Sequence, residues 1–393
     1  MEKPLFPASQ RLLSLDVFRG LTILFMILVN NPGNGRYVYW PLEHSKWNGL
    51  TPTDLVFPFF LFIAGVSIVF ALSSRKESGK GYSALVRTIF RRSLLLVLIG
   101  IVVHSLPSLY DLQHWSWGKF FREMRYPGVL QRAGLVYLAA SLLFLYCSKR
   151  MILILAFGFI IVYYLLMALI PVPGVGPATF DPAMNLESWI DRQVLSTWHL
   201  YHSTLFWDPE GILSTIPSIS NSLFGVLTGL VLRSKSEALS KFQFMLKQGA
   251  LLLVLGLAAS YLFPINKNLW SSSFVLVTCG LANITLAFFY YAVDIRKSTG
   301  WTKPFIVYGM NSILVYAIAE SFDTLLSYIQ LPNGRFPDGR PRTTGLFGYI
   351  YIHVFEPAFA SPYNSSMVWS VCYSLAFMPL LWYFYKKKIF LKV

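Results

Sequence analysis

Runs of roughly 20 largely apolar residues recur along this chain, a length that matches the hydrocarbon layer of a bilayer. Ten such spans are predicted, at about 13–30, 54–73, 91–106, 129–147, 151–170, 212–232, 249–264, 271–293, 304–328 and 367–385. The pattern predicts an all-α polytopic membrane protein of about ten transmembrane helices. Taken alternately, the connecting segments that include both termini hold 21 Lys and Arg, against 10 in the other, longer set. Basic residues favour the cytoplasmic side, so both termini are expected there. Neither a repeat nor a linker interrupts the pattern, and 1–393 reads as a single transmembrane domain.

Composition agrees: 55% of residues are hydrophobic and only 13% charged, about half the charge content of a typical soluble domain. The formal charge of +15 lies between the apolar runs instead of in one stripe, which excludes nucleic acid and fits anionic lipid headgroups. Cys147, Cys279 and Cys372 have neither paired nor metal-ligand spacing, so no disulfide framework and no metal is expected. No small-residue cleavage site follows the first run, which is read as a retained span.

Chemistry concentrates around 44–65, HSKWNGLTPTDLVFPFFLFIAG. Thr51, Pro52 and Asp54 read as a helix start in which Asp54, three residues after the cap, closes a capping box. His44 lies in the preceding loop, outside any apolar face, on the side opposite the termini. Asn30 closes the first span 14 residues earlier, and the turn-rich link through Pro32, Gly33, Asn34 and Gly35 folds His44 back over it.

Elsewhere, Asp16 and Arg19 are spaced for a local ion pair. Loop 171–211 is acidic, with Asp181, Glu187, Asp191, Asp208 and Glu210 against one base, and most of it reads as a solvated face. Loop 330–366 reads as a mobile flap or rim. Lys119, Arg122 and Arg125 stand where orientation disfavours bases, and need Glu123, Asp111 or the acidic loop as counter-charge, or a ligand.

The segments SLDVFRG (14–20), HSKWNGLTPTDLVFPFFLFIAGVS (44–67), RYPGVLQRAG (125–134), WDPEGILSTI (207–216), PINKNLWSSSF (264–274) and YGMNSILVY (308–316) resemble the heparan-alpha-glucosaminide N-acetyltransferase family. The resemblance runs from about residue 11 to the end. It implies an acyltransferase that takes acetyl from cytoplasmic acetyl-CoA and delivers it to the amine of a glucosamine-type sugar or glycan across the membrane. A bacterial inner-membrane location and a homodimer are implied with it. The family's essential histidine falls on His44 and its partner asparagine on Asn30. Here the link between those two is a few residues longer than in the lysosomal member, which would reshape the acceptor pocket, and that member's large lumenal amino-terminal region is not expected, which counts against heparan sulfate itself as the acceptor. The chemistry fits, because a neutral imidazole suits deprotonation of an attacking amine at neutral pH. Acceptor-site candidates are Trp47, Asn48, Asp54, Arg125, Arg132, Asp208, Glu210 and Asn311; candidates for the CoA phosphates are Arg91, Arg92, Lys149 and Arg150.

Two other functions use the same residues. An amino-sugar transporter would bind substrate at the polar cluster, but repeat symmetry is not visible. LDVFRG before an apolar span is also similar to the O-acylating acyltransferase-3 proteins, which carry a histidine where this chain has Asn30.

Overall fold

The computed structural model describes residues 12–78, 81–106, 116–201, 203–335 and 340–390, so Asp111 lies outside the described residues. Among these, eight helical segments are long and apolar enough to cross a membrane. They are α1 (Leu13–Asn30), α2 (Val56–Ser78, entered through the turn Pro52–Leu55), α5 (Val129–Tyr146), α6 (Lys149–Leu169), α8 (Thr215–Arg233), α9 (Ala238–Ala259), α10 (Ser272–Phe289, continued by the π-turn Tyr290–Ile295) and the paired α14 (Pro362–Ala376) and α15 (Met378–Lys387). A ninth is broken: α11 (Lys303–Met310) and α12 (Ser312–Ser327) meet at 79° around Asn311. The protein is a polytopic helical membrane protein.

The third expected span, 91–106, forms the second half of α3 (Tyr82–Ser105), which packs along α5. Arg87, Arg91 and Arg92 extend this helix before the apolar run begins, and its far end meets the start of α5, where Gln131 lies 3.2 Å from His104. Short helices α4 (Trp117–Glu123) and α7 (Leu186–Leu195) lie in the connections. The segment expected as a flap instead carries an antiparallel hairpin, β1 (Gln330–Arg335) with β2 (Pro341–Gly345), followed by α13 (Leu346–Ile350).

Two apolar cores share α1. Leu15 and Phe18 pack into the larger, formed with α2, α5, α6, α8, α9 and α10, while Ile23, Met26 and Ile27 pack with α11, α12 and α14. Lipid is as apolar as leucine, so helices in a membrane associate largely through close packing, which small residues permit. A Cβ on Gly65 of α2 would stand 2.0 Å from the Ser222 carbonyl oxygen of α8, and one on Gly20 of α1 would stand 1.7 Å from that of Phe305 in α11. These backbones touch. Asp16 and Arg19 form the expected pair at 3.4 Å, and Arg19 also donates to Ser67 of α2 at 2.8 Å.

Candidate active site

The α2 start forms as its sequence predicts. Asp54 Oδ2 reaches back to the Thr51 N–H at 3.0 Å and also accepts from the Ser45 N–H at 3.2 Å. Its other oxygen does more than cap: Oδ1 lies 2.7 Å from Nδ1 of His44. Asp54 is fully buried, whereas the His44 side chain keeps 47% exposure. This pairing fixes the imidazole with Nδ1–H donating to the carboxylate and leaves Nε2 with a lone pair.

The structure gives His44 and Asn30 different partners from those expected of them. Asn30 Nδ2 donates to Glu320 of α12 at 2.9 Å, and the orienting position beside His44 belongs to Asp54. The span-ending turn carries Asn30 toward α12, while the capping box draws the His44 loop onto the α2 start.

A residue the sequence reading did not single out completes the cluster. Lys267, between α9 and α10, places Nζ 3.2 Å from both ring nitrogens of His44. It was legible by the argument applied to Lys119, Arg122 and Arg125, since it is another base on the disfavoured side. The two loops are bound together: Asn266 Nδ2 donates to Asn48 Oδ1 at 3.1 Å, and the Gly49 N–H to the Ile265 carbonyl at 2.8 Å. Trp47 Nε1 donates to the Phe180 carbonyl at 3.1 Å. Trp47 and Asn48 therefore hold the His44 loop in place.

The acidic connection is not the solvated face that its composition suggests. Glu187, Asp191, Asp208 and Glu210 are buried against Arg125 and Arg132, which are buried too. Arg125 grips Asp208 through two bonds, of 3.0 and 2.7 Å, and donates to Glu210 at 2.7 Å. Arg132, in the first turn of α5, donates to the Gly211 carbonyl at 3.0 Å and to Ser214. Arg125 satisfies Asp208 and Glu210 as ion pairs, whereas Glu187 accepts from the Tyr163 hydroxyl and Asp191 from the Ile212 N–H.

The ionisation of the cluster follows from these contacts. Burial and the Lys267 charge lower the pKa of His44 from its ordinary value, against opposing pulls from Asp54 and Glu210. Burial raises the Glu210 carboxyl, but Arg125, Arg132 and Lys267 outweigh it and hold the group below the usual range. Burial pushes Asp191 up to about 7. Glu187, buried beside Asp191, is raised well above the ordinary value.

Of the remaining candidates, Asn311 sits at the break between α11 and α12 and donates to the Ile389 carbonyl at 3.2 Å, apart from the His44 cluster. Arg92 lines a cavity of about 260 Å³ enclosed by α1, α2, α3, α5 and α12, with Arg19 on another wall. Lys149 and Arg150 line a different cavity, against α8 and α9. Arg91, one residue from Arg92, is exposed, because neighbouring positions on a helix point in different directions.

The protein is thus a membrane-embedded helix bundle with an oriented histidine at one end and an arginine-lined cavity among its spans. The family model for heparan-alpha-glucosaminide N-acetyltransferase, catalytic, matches residues 11–256, and the chain belongs to that family. It is 36% identical over 372 residues to heparan-alpha-glucosaminide N-acetyltransferase of Homo sapiens, covering 81% of this chain and 54% of that protein. It is 33% identical over 379 residues to that of Mus musculus, covering 82% and 55%. The chain thus spans about half the length of the curated relatives it matches.

Proposed function

We propose that this protein is a transmembrane acetyltransferase, moving acetyl from acetyl-CoA at the cytoplasmic face to the amine of a glucosamine-type sugar at the opposite face of a bacterial cytoplasmic membrane. The observation that carries this reading is the Asp54–His44 pair, which leaves Nε2 free of a proton to accept one from an acceptor amine. Family membership supports the reaction class.

Donor fit rests on the cavity shared by Arg19 and Arg92. Its α2 wall runs from Phe60 to Ala71, about 16 Å along the helix axis, and Phe60 lies about 9 Å along the chain from Asp54. That corridor suits an extended arm, and the two guanidiniums suit anionic groups. Acetyl-CoA supplies an activated thioester carbonyl when bound. Nε2 of His44 takes the proton from the acceptor nitrogen as that nitrogen attacks, and Asp54 stabilises the imidazolium that forms. His44 then returns the proton to the departing sulfur. This is direct transfer, with His44 as base and no acetyl-histidine.

The test is purified protein incubated with labelled acetyl-CoA and a panel of amino sugars, with products resolved by mass spectrometry. N-acetylation that disappears in His44→Ala is expected. Acetyl found only on hydroxyls would make it an O-acyltransferase. One observation favours transport as a second reading: the broken span places Ser312, the first residue of α12, on the cavity wall, and interrupted helices build transporter sites. Counterflow of labelled glucosamine in proteoliposomes without acetyl-CoA would favour that reading.

A further inference from the structure

A carboxylate 2.7 Å from an imidazole creates a difficulty for a base. Asp54 stabilises imidazolium, and a histidine that already carries its proton at neutral pH cannot take one from a substrate. Lys267 answers it. Its ammonium is a cation, so it is repelled by an imidazolium and favours the neutral ring. With Nζ 3.2 Å from both ring nitrogens, it offsets the charge that Asp54 brings.

The Lys267 loop is built to keep that distance. Asn266 accepts from the Leu269 N–H at 2.9 Å, its own N–H donates to Ser271 Oγ at 3.0 Å, and its amide reaches Asn48 in the His44 loop. Trp270 closes the loop in a left-handed conformation, φ 50°, a strained geometry held by its Nε1 bond of 2.8 Å to Asn221 of α8. The loop thus spends backbone strain and four side-chain hydrogen bonds on holding one lysine against one histidine.

We propose that Lys267 is the positioning residue that keeps the His44 imidazole neutral, with Nδ1–H turned to Asp54 and Nε2 available to the acceptor amine. The proposal rests on His44 being the base. The charged groups acting on the ring are Asp54 from the α2 start, Glu210 from the buried acidic connection and Lys267 itself, and the depression of the His44 pKa has burial and Lys267 as its causes. Burial lowers the Lys267 pKa, and the carboxylates of Glu210 and Asp54 oppose that lowering.

Diethyl pyrocarbonate, which modifies the unprotonated imidazole, tests this without relying on turnover. The pH dependence of His44 modification, read by peptide mass spectrometry, gives the ring's titration midpoint in the wild type and in Lys267→Met, Lys267→Gln and Lys267→Arg. The midpoint should rise by about one pH unit in Met and Gln and stay at the wild-type position in Arg, since only Arg keeps the charge. The acidic limb of kcat/KM for acetyl transfer to glucosamine should move with it, giving a loss of about threefold or more at pH 6 and little at pH 8.5. An unmoved midpoint in both neutral variants overturns the proposal, as does a loss of kcat/KM equal at every pH. Failure of the reading beneath it looks different: activity retained in His44→Ala removes His44 as the base while leaving the titration result intact.

Discussion

Asp54 Oδ1 lies 2.7 Å from His44 Nδ1 while Oδ2 holds the Thr51 N–H, so one carboxylate both starts a transmembrane helix and orients the histidine in the loop before it. The two duties are separable by chemistry. Capping needs an acceptor oxygen, whereas stabilising an imidazolium needs negative charge.

Asp54→Asn keeps an oxygen for the Thr51 N–H and removes the charge. Transfer should fall by about 10²-fold or more, with the thermal midpoint in detergent little changed. Undiminished transfer would show that His44 is oriented by something else.

The wild-type acidic limb of kcat/KM should lie below pH 6.5, because the pKa of His44 is lowered and the neutral form is the active one. A pH–rate profile whose limb lies above that value would contradict the site's electrostatics.

Arg92→Ala should raise KM for acetyl-CoA by about tenfold, the scale of one lost charge-assisted hydrogen bond. Lys149→Ala and Arg150→Ala should leave it unchanged, since they line a separate cavity. The reverse order of effects in a steady-state titration would move the donor site to α6.

Two glycine substitutions compare helix contacts. Gly65→Ala forces α2 off the Ser222 backbone, 2.0 Å from the new Cβ, while Gly158→Ala in α6 meets nothing within 4 Å. The first should lower the thermal midpoint and the second should leave it level or raise it. Equal midpoints would mean the α2–α8 crossing is looser than described.

Arg125→Ala leaves Asp208 and Glu210 buried without their cation, at a cost of about 3–5 kcal/mol. Arg335→Ala, in the exposed hairpin, should cost less than about 0.5 kcal/mol. Yields of monodisperse protein would rank the pair, and similar yields would deny the buried network its weight.

Much of this architecture was readable because apolar runs of membrane length dominate the chain, and the α2 start was readable because capping is local chemistry. What escaped is tertiary. The ten-residue step from His44 to Asp54 closes only when the loop folds back, and Lys267 reaches His44 only because Asn266 binds Asn48. The acidic connection obeyed the charge rule so well that solvation explained it, although four of its carboxylates are buried and Arg125 pairs with two of them. The break at Asn311 lay inside an apolar run that continues on both sides of it.

Helix α2 carries Asp54 at its first turn and Phe60, Ile63, Ala64, Ser67, Ile68 and Ala71 along the cavity wall. A helix is stiff along its axis, so these two parts move as one lever. An axial slide of α2 by a fraction of an ångström would change the Asp54–His44 distance at its far end. The cavity wall and the carboxylate that orients His44 are therefore two parts of one rigid element.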